Sequence, residues 1–222
     1  MIRYLVAFLL VTGGAFAECC GKVDVAPVFL KVDLLKYGKE DQTYNMQGAR
    51  GAIDYLIWKL KPLIVRFTGL SAWGKHNSHF QTYTAGLGAC IPYQQFLFTP
   101  TVGVTYCRFT ADDGKFPPLE DLKQTFDGLG PYIGIDIQWR FCDTWKISGG
   151  FQYSWSHTHA FLKDLFSNLK DNSKGPTWTL QIEKDITEQW SLNIAGAYNR
   201  SLNHEKHGLK AQGVKVGLTY WF

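Results

Sequence analysis

The chain has 222 residues with a formal net charge of +4, and its mean hydropathy is −0.15. The positive charge is spread along the sequence, which does not favour nucleic-acid binding. No stretch approaches the roughly 18 consecutive apolar residues that a transmembrane helix needs. A location in a membrane would therefore require a closed β-barrel, in which neighbouring strands satisfy every backbone polar group. The composition, with 15% aromatic residues and 22 glycines, fits a barrel but would also fit one soluble all-β domain.

The N-terminal 17 residues predict a secretory signal peptide. Arg3 supplies its positive charge, residues 5–12 form a short apolar run, and Ala15-Phe16-Ala17 provides a small-x-small cleavage site. The predicted organisation is therefore a signal peptide at 1–17 and one domain at 18–222.

Apolar alternation between turn residues predicts ten antiparallel strands, of about the length that a tilted membrane strand requires. In chain order they occupy residues 24–37, 48–60, 63–73, 80–91, 96–109, 132–141, 145–156, 177–183, 190–199 and 209–222. Strand one is the least regular: Val28, Leu30 and Val32 form its apolar face, and Lys31 and Asp33 lie on the other. Aromatic residues mark both ends of several apolar faces, as the interfacial girdles of membrane barrels do.

The last strand has a continuous apolar face on alternate residues and ends the chain on an aromatic residue. Since successive side chains of a strand point to opposite faces, Lys215 falls on the other, mixed face. The residues of the apolar face are Val214, Val216, Leu218, Tyr220 and Phe222.

A secretion signal followed by repeated strands of this kind resembles the bacterial outer-membrane β-barrels, including the small opacity- and OmpA-like proteins. In that family, a terminal Phe preceded by alternating apolar residues resembles the signal that the barrel-assembly machinery reads. The resemblance implies this machinery, outer-membrane lipids and lipopolysaccharide as partners. The predicted fold is an all-β, closed antiparallel transmembrane barrel of ten strands. The alternative is eight strands, with residues 18–60 partly outside the wall or folded as a plug.

The resemblance also implies an orientation in the outer membrane, with the last strand running towards the periplasm and both mature termini periplasmic. The short links then become periplasmic turns, at 61–62, 92–95, 142–144 and 185–189. The longer links become external loops, at about 38–47, 74–79, 110–128, 160–175 and 203–208.

Ten charged residues are predicted to face the lumen. They are Lys31, Asp33, Arg50, Asp54, Arg66, Asp136, Arg140, Lys146, Glu183 and Lys215. Because an unpaired buried charge is costly, these residues are expected to form a salt-bridge ladder. An ion path is the alternative, since small inward residues would leave room in a barrel of ten strands. These small residues are Gly86, Gly88, Ser148, Gly150, Ala195, Ala197, Gly213 and Gly217.

All six histidines fall in predicted external loops or at external strand ends, in three close pairs. The pairs are His76 and His79, His157 and His159, and His204 and His207. Neutral imidazoles are common metal ligands, so a metal site is one hypothesis, although polar loops also collect histidines for no such reason. A catalytic alternative would combine Asp112 and Asp113 with His157, as in outer-membrane proteases, but no matching motif is present. No cofactor is predicted.

Two predicted external loops contain apolar residues at helical spacing, which predicts a short helix in each, either capping the barrel mouth or lying on the outer leaflet. These residues are Leu162, Leu165, Phe166 and Leu169 in one loop, and Leu119, Leu122 and Phe126 in the other.

Five cysteines leave at least one unpaired if all bridges are internal. Cys19, Cys20, Cys90 and Cys142 map to the periplasmic side, and lipoprotein processing at Cys19 or Cys20 is an alternative to simple cleavage. Cys107 maps near the external end of its strand, too far from Cys90 for a disulfide. We expect Cys107 to stay free or to cross-link another envelope protein.

The predicted function is that of a non-enzymatic outer-membrane surface protein, with a structural, adhesion or interaction role through its external loops. The alternatives are a narrow porin for ions or small solutes and, less favoured, a metal-binding or enzymatic rim. Fold alone cannot choose between them.

Overall fold

The computed structural model describes residues 21–57, 62–112, 123–162 and 167–222. These residues form an all-β structure of ten long strands and one short strand. The strands are β1 (Lys22–Lys36), β2 (Lys39–Leu56), β3 (Leu63–Gly74), β4 (His79–Ala89), β5 (Ile91–Tyr93), β6 (Phe96–Asp112), β7 (Lys123–Cys142), β8 (Trp145–Leu162), β9 (Ser167–Asp185), β10 (Trp190–Leu202) and β11 (Gly208–Trp221).

The sheet closes on itself because the first and last long strands pair. β1 is hydrogen-bonded to β2 on one side and to β11 on the other, and β4 pairs with β6 where the short β5 intervenes. All pairings are antiparallel. The prediction of a closed antiparallel barrel of ten strands is therefore confirmed, and the alternative of eight strands is wrong. Within the described residues, no helix is long and apolar enough to span a membrane.

The two ends of the barrel differ in how far the strands extend beyond the apolar outer wall, and the extension is longer at one end than at the other. Gly21 and Phe222 meet at one end, where the Phe222 amide donates to the Gly21 carbonyl oxygen at 2.9 Å. We call this the terminal end, and the opposite one, with the turn at Tyr37 and Gly38, the distal end. Several strands have 17 to 20 residues, whereas about ten cross a bilayer.

The outer wall carries a broad apolar band near the terminal end and in the middle. Its exposed side chains include Val25, Phe29, Ile53, Phe67, Leu87, Val102, Ile133, Leu180, Ile194, Val214 and Val216. Aromatic residues edge the band at the terminal end, where Phe96 stacks on Trp139 and Trp190 contacts Tyr220. Further aromatic pairs lie towards the distal end, at Tyr83 with Tyr106 and Tyr153 with Trp155. A belt of exposed apolar side chains between aromatic rims is the surface that a lipid bilayer covers.

The apolar face of β1 is inverted relative to the prediction. Phe29 is 59% exposed on the outer wall, whereas Val28 and Val32 are buried inside the barrel. Lys31 and Asp33 share the outer face with Phe29, so the prediction that these two charges face the lumen is wrong. The reason is that the distal half of the lumen is itself apolar, as described below, so this half of β1 points its apolar residues inward.

Two predicted external loops are strands in the structure. β2 begins at Lys39, so the predicted loop at 38–47 is reduced to a two-residue turn. Tyr37 and Gly38 both have positive φ values, 52° and 78°, as a type I′ hairpin turn requires. Strands also fill most of the predicted loop at 160–175, because β8 continues to Leu162 and β9 starts at Ser167.

The two predicted helices of the distal loops are not formed in the described residues. Leu162, Leu169 and Phe126 lie in β8, β9 and β7. Leu165, Phe166, Leu119 and Leu122 lie outside the described residues.

Glycines inside the wall make room for a large side chain from a neighbouring strand. Tyr132 is 3% exposed and lies across Gly86 and Gly103. A Cβ atom at Gly86 would contact the Tyr132 hydroxyl and would lie 2.7 Å from the Val102 carbonyl oxygen. Gly86 is therefore a packing partner of Tyr132 and does not open a space in the lumen.

We expect Gly86→Ala to lower the free energy of unfolding by about 1–3 kcal/mol, because the added methyl overpacks this contact. Gly149→Ala is the matched control, since a Cβ at Gly149 would meet no atom within 4 Å. The control should be neutral or stabilising by up to about 1 kcal/mol. Urea unfolding of the folded barrels in detergent, followed by tryptophan fluorescence, measures both, and equal effects would contradict the assigned contact.

Candidate functional site

The interior of the barrel contains a network of charged residues in its terminal half. Asp24 is at the centre of one part and is 6% exposed. Its carboxylate accepts hydrogen bonds from Arg50 at 2.7 Å, Lys215 at 2.6 Å and Asn193 at 2.7 Å. These partners come from β2, β11 and β10, so one carboxylate joins four strands across the closure of the sheet.

Arg66 holds the neighbouring part of the network. Its Nε and Nη2 donate to the two oxygens of Asp54 at 2.7 and 2.9 Å, and its Nη1 donates to Asp136. Lys22 lies 3.7 Å from Asp54. The fork of Arg66 thus links β2 and β3 to β7 on the other side of the lumen, the geometry in which a buried ion pair offsets its desolvation best.

A second cluster lies at the terminal mouth of the lumen. Lys146 is 4% exposed and lies 3.0 Å from Asp185 and 3.6 Å from Glu183. Its ammonium group is also 4.4 Å from the centre of the Trp221 ring. Arg140 adds a 3.4 Å contact to Asp185. In this second cluster, Lys146 and Arg140 thus each lie beside at least one carboxylate.

A cavity of about 480 Å³ opens between this cluster and the turns of the terminal end. The lining residues are Gln138, Arg140, Asp143, Thr144, Lys146, Asp185, Ile186, Thr187, Glu188 and Trp221. The cavity is a vestibule, and the ion pairs of Lys146 form its inner end.

Apolar side chains fill a large part of the distal half of the lumen. The cluster consists of Val32, Tyr44, Met46, Ala72, Phe80, Phe109, Ala111, Leu209 and Ala211, with Leu30, Leu34, Leu70, Cys107 and Phe126 packed against it. Phe109 is 1% exposed and contacts Tyr44 with ring centres 5.1 Å apart. We call this set the distal plug. Buried hydroxyl residues of β8 and β9, including Ser154, Thr158 and Ser173, face it from the other side of the barrel.

The middle of the lumen is the least filled part. Thr179 and Ala197 face inward on β9 and β10 but are exposed. On both sides of them along the barrel axis the inward residues are buried, with Glu183 and Asn193 towards the terminal end and Ser173 towards the distal end. The lumen therefore has a roomier middle between two closely packed ends.

The small inward residues that suggested an ion path mostly accommodate neighbouring side chains. A Cβ at Gly150 would contact Asp136 and Thr179, and one at Gly213 would contact Leu30. A Cβ at Gly217 would lie 3.1 Å from the Asn193 side-chain oxygen. Glycine in these positions thus permits close packing between side chains of adjacent strands on the lumen face.

Of the ten residues predicted to face the lumen, eight lie within it, in the two charged clusters. Lys31 and Asp33 instead form an ion-paired group on the outer wall beyond the apolar band. Asp33 is fully buried there and accepts a 2.6 Å hydrogen bond from Thr43, with Lys31 at 3.3 Å and Lys210 at 3.4 Å. Burial alone would raise the pKa of Asp33, but Thr43 and the two lysines lower it below its usual 3.8.

The six histidines do not converge on a metal site. His79 stacks on Trp73, and His157 hydrogen-bonds Asn172 at 2.6 Å. His207 lies 3.8 Å from Glu205. In the part of the chain that the structure describes, no three His, Cys, Asp or Glu side chains could hold a metal ion together. His76, His159 and His204 also lie at the distal end, in or beside its turns.

Among the described residues, Asp112 and His157 of the catalytic combination are engaged with separate partners. Asp112 accepts a 2.7 Å hydrogen bond from Asn77, whereas His157 is engaged with Asn172. Asp113 lies outside the described residues.

The cysteines are distributed along the barrel. Cys90 is buried beside Ile64 near the terminal end, whereas Cys107 pairs in register with Thr82 and packs on the distal plug. Eight residues separate Thr82 from Cys90, about 26 Å along a strand, so Cys90 and Cys107 cannot form a disulfide. Because Cys107 faces the lumen, it is poorly placed to cross-link another envelope protein. Cys142 is exposed, and Cys19 and Cys20 lie outside the described residues.

Sequence reasoning missed Asp24, Asp185 and Asn193, three central members of the charged clusters. Asp24 has the parity of Val28 and Val32, so the inverted assignment of β1 placed it on the lipid face. Asp24 is found in the lumen if β1 is instead assigned so that its charged residues near the terminal end face inward. Asp185 was assigned to a turn.

No protein-family model matches the chain, and no curated protein matches it. The fold is similar to that of the outer membrane protease OmpT from Escherichia coli, with 13% identity and a TM-score of 0.57 over 91% of this chain and 97% of that one. It is also similar to the translocator domain of the autotransporter NalP from Neisseria meningitidis, with 9% identity and a TM-score of 0.51 over 100% of this chain and 95% of that one. At these identities the similarities show the fold alone, which is that of the outer-membrane β-barrels.

We expect Arg66→Met to lower the free energy of unfolding by about 3–5 kcal/mol, because the buried Asp54 would lose the cation that compensates its burial. Arg108→Met, at an exposed outward position of β6, is the matched control and should change stability by no more than about 0.5 kcal/mol. Urea titration in detergent measures both variants. A loss no larger for Arg66→Met than for the control would show that the charged cluster does not depend on this fork.

The ion-paired group on the outer wall predicts a defined pH dependence. Since the pKa of Asp33 is lowered in the folded state, its stabilising contribution is complete above its usual 3.8 and is lost as the pH falls through the lower folded value. Asp33→Asn should therefore be less stable than the unsubstituted protein at neutral pH, and the difference should shrink towards about pH 2. Asp41→Asn, at an exposed position, is the control. A difference that persists unchanged in acid would contradict the assigned ion pairs.

Proposed function

We propose that this protein is a non-conducting, non-enzymatic barrel of the outer membrane, whose distal end faces outward and interacts with partners. The observation that carries the proposal is the obstruction of the lumen at two levels. The distal plug occupies one level, and the ion pairs of Arg66, Asp24 and Lys146 occupy the other. A porin instead keeps a continuous polar, water-filled interior.

The proposed orientation rests on the extension of the strands beyond the apolar band. Outer-membrane barrels have short turns on the periplasmic side and longer extracellular parts. At the terminal end, the links at 94–95, 143–144 and 186–189 are short, and aromatic residues edge the band close to them. At the distal end, the strands continue beyond the band. This asymmetry supports periplasmic termini and an external distal end.

The last strand supports a role for the barrel-assembly machinery as a partner in biogenesis. Val214, Val216 and Leu218 are exposed on the outer wall, and Phe222 is 53% exposed at the terminal end. Their side chains are thus accessible from outside the barrel on the last strand, whose pairing with β1 closes the sheet. Outer-membrane lipids and lipopolysaccharide would cover the same face after insertion.

A non-enzymatic role is supported by the separate engagement of the candidate catalytic residues. Asp112 is paired with Asn77 and His157 with Asn172. OmpT is a protease, but the shared fold does not carry that activity to this chain.

We expect the refolded barrel to give no steady single-channel steps in a planar lipid bilayer. The double variant Phe80→Ala, Phe109→Ala should also stay silent, because the ion pairs of Arg66, Asp24 and Lys146 still obstruct the terminal half of the lumen. The double variant Phe67→Ala, Phe98→Ala removes the same volume from the outer wall, and steps from the plug variant but not from this control would show that the distal plug is the only obstruction. Regular steps from the unsubstituted barrel would overturn the proposal and favour the narrow porin, with the cavity of the terminal mouth as its entrance.

A further inference from the structure

Two turns of the distal end are joined into one rigid surface. The Gly38 amide donates to the Lys206 carbonyl oxygen at 2.7 Å, which ties the β1–β2 turn to the β10–β11 turn. The Tyr37 and His207 rings meet edge to face, with centres 4.6 Å apart. We call the surface formed by Lys36, Tyr37, Gly38, Lys39, Arg200 and Lys206 the distal platform.

The distal platform brings the side chains of Lys206 and Arg200 together at Gly38, next to the lysines that flank the turn. The position of a Cβ at Gly38 would be 3.7 Å from the Lys206 side chain and 3.9 Å from Nη2 of Arg200. Lys36 and Lys39 are direct partners across the two-residue turn, and both are exposed. Two like charges directly opposite each other destabilise a strand pair. This arrangement is unfavourable for the free protein and becomes favourable when an anion lies between the charges.

The acidic residues nearby do not neutralise these cations. Glu40 pairs with Lys210 at 2.5 Å and with Lys31 at 3.7 Å, on the outer wall below the platform. By contrast, Lys36, Lys39, Arg200 and Lys206 have no carboxylate of the described residues within 4.0 Å.

Arg200 has donors that protein groups leave unused. Its Nη2 reaches the Gly38 carbonyl oxygen at 3.4 Å, and its Nε is buried without an acceptor among the described residues. A buried donor without an acceptor is costly. The buried Nε is not available to a ligand, but the Nη atoms of the half-buried guanidinium, beside the Lys206 side chain, are suited to receive an oxyanion.

The height of the platform indicates where such an anion comes from. Phe29 is the last exposed apolar residue of the outer face of β1, and Lys36 follows it by seven residues. At about 3.3 Å per residue and a tilt of about 40°, the platform stands roughly 18 Å beyond the apolar band. The phosphates of a lipid head group lie close to the band, so the platform is better placed for a soluble ligand.

We propose that the distal platform binds the sulfate or phosphate groups of an anionic polysaccharide that approaches from outside the cell. Lys36, Lys39 and Lys206 contact the anionic groups, Arg200 completes the site, and the exposed Tyr37 ring offers a surface to a sugar. The assignment of the ligand to the outside of the cell rests on the orientation proposed above.

The test is calorimetric titration of the refolded full-length mature barrel, in zwitterionic detergent, with a heparin hexasaccharide as the probe. We expect saturable binding that weakens as the salt concentration rises. The triple variant Lys36→Gln, Lys39→Gln, Lys206→Gln should bind at least tenfold more weakly. The matched triple variant Lys75→Gln, Lys174→Gln, Lys184→Gln removes the same charge at exposed positions elsewhere and should bind as the unsubstituted protein does.

Three outcomes would overturn the proposal. They are no saturable binding of the probe, equal weakening in the two triple variants, and binding of purified lipopolysaccharide alone with no loss in the platform variant. Since all six substituted lysines are exposed, both variants should fold, and heat-modifiable gel mobility checks this before titration.

A second measurement separates failure of this inference from failure of the orientation. Lys206→Cys, in a barrel whose native cysteines are replaced by serine because Cys142 is exposed at the other end, is labelled in intact cells with a maleimide that does not cross the membrane. Binding of the probe without labelling would support the anion site but place it in the periplasm, which would overturn the proposal of a ligand outside the cell. Labelling without binding would keep the orientation and overturn the site.

Discussion

The pairing of β1 with β11 is the interaction on which the rest of the structure depends. Within a bilayer, an open strand edge would leave a row of backbone amide and carbonyl groups without partners, at a cost of several kcal/mol each. Register contacts from Lys22 with Trp221 to Leu35 with Gly208 remove that edge along nearly the whole length of β1. The carboxylate of Asp24 then contacts Lys215 on the opposite side of the closure and Asn193 one strand further. Closure of the wall and organisation of the charged interior are therefore coupled at the same point.

Closure also fixes which face of each strand meets lipid, and the wall changes its environment part-way along the strands. Near the terminal end, apolar side chains face outward and charges face inward, because the solvent outside is lipid. Beyond the band, the outside is water, so Lys31, Asp33 and Lys210 lie on the outer wall, and apolar residues such as Val32 turn inward. The distal plug is thus a water-excluded apolar core like that of a soluble protein. In the terminal half of the barrel the arrangement is reversed, with charges inside and apolar side chains outside.

The same reversal explains what could and could not be predicted from the sequence. The strands of the second half, such as β8 with Trp145, Ile147 and Phe151, keep one phase through the bilayer, so alternation identifies both the strand and its outer face. β1 also keeps one phase, but its inward Val28 and Val32 belong to an apolar interior and its outward face carries charge beyond Phe29, so a search for an apolar lipid-facing side inverts the strand. The prediction of where β2 begins was wrong for a related reason. Its inward Tyr44 and Met46 alternate with polar outward residues, which looks like a loop to a search for lipid-facing residues. Pairing of charges across the lumen, as between Arg66 and Asp136, depends on strand tilt and barrel size, and local patterns contain no information on either.

Spin-label accessibility measures the change of environment along β1 residue by residue. Single nitroxide labels at positions 28, 29, 31, 32 and 36 of the barrel in lipid bilayers are compared for relaxation by oxygen, which concentrates in lipid, and by a water-soluble nickel chelate. We expect a label at position 29 to be relaxed by oxygen and labels at 31 and 36 to be relaxed by the nickel chelate. Labels at 28 and 32 should be protected from both. Oxygen relaxation at 28 and 32 with protection at 29 would invert the strand and contradict both the distal plug and the charged interior.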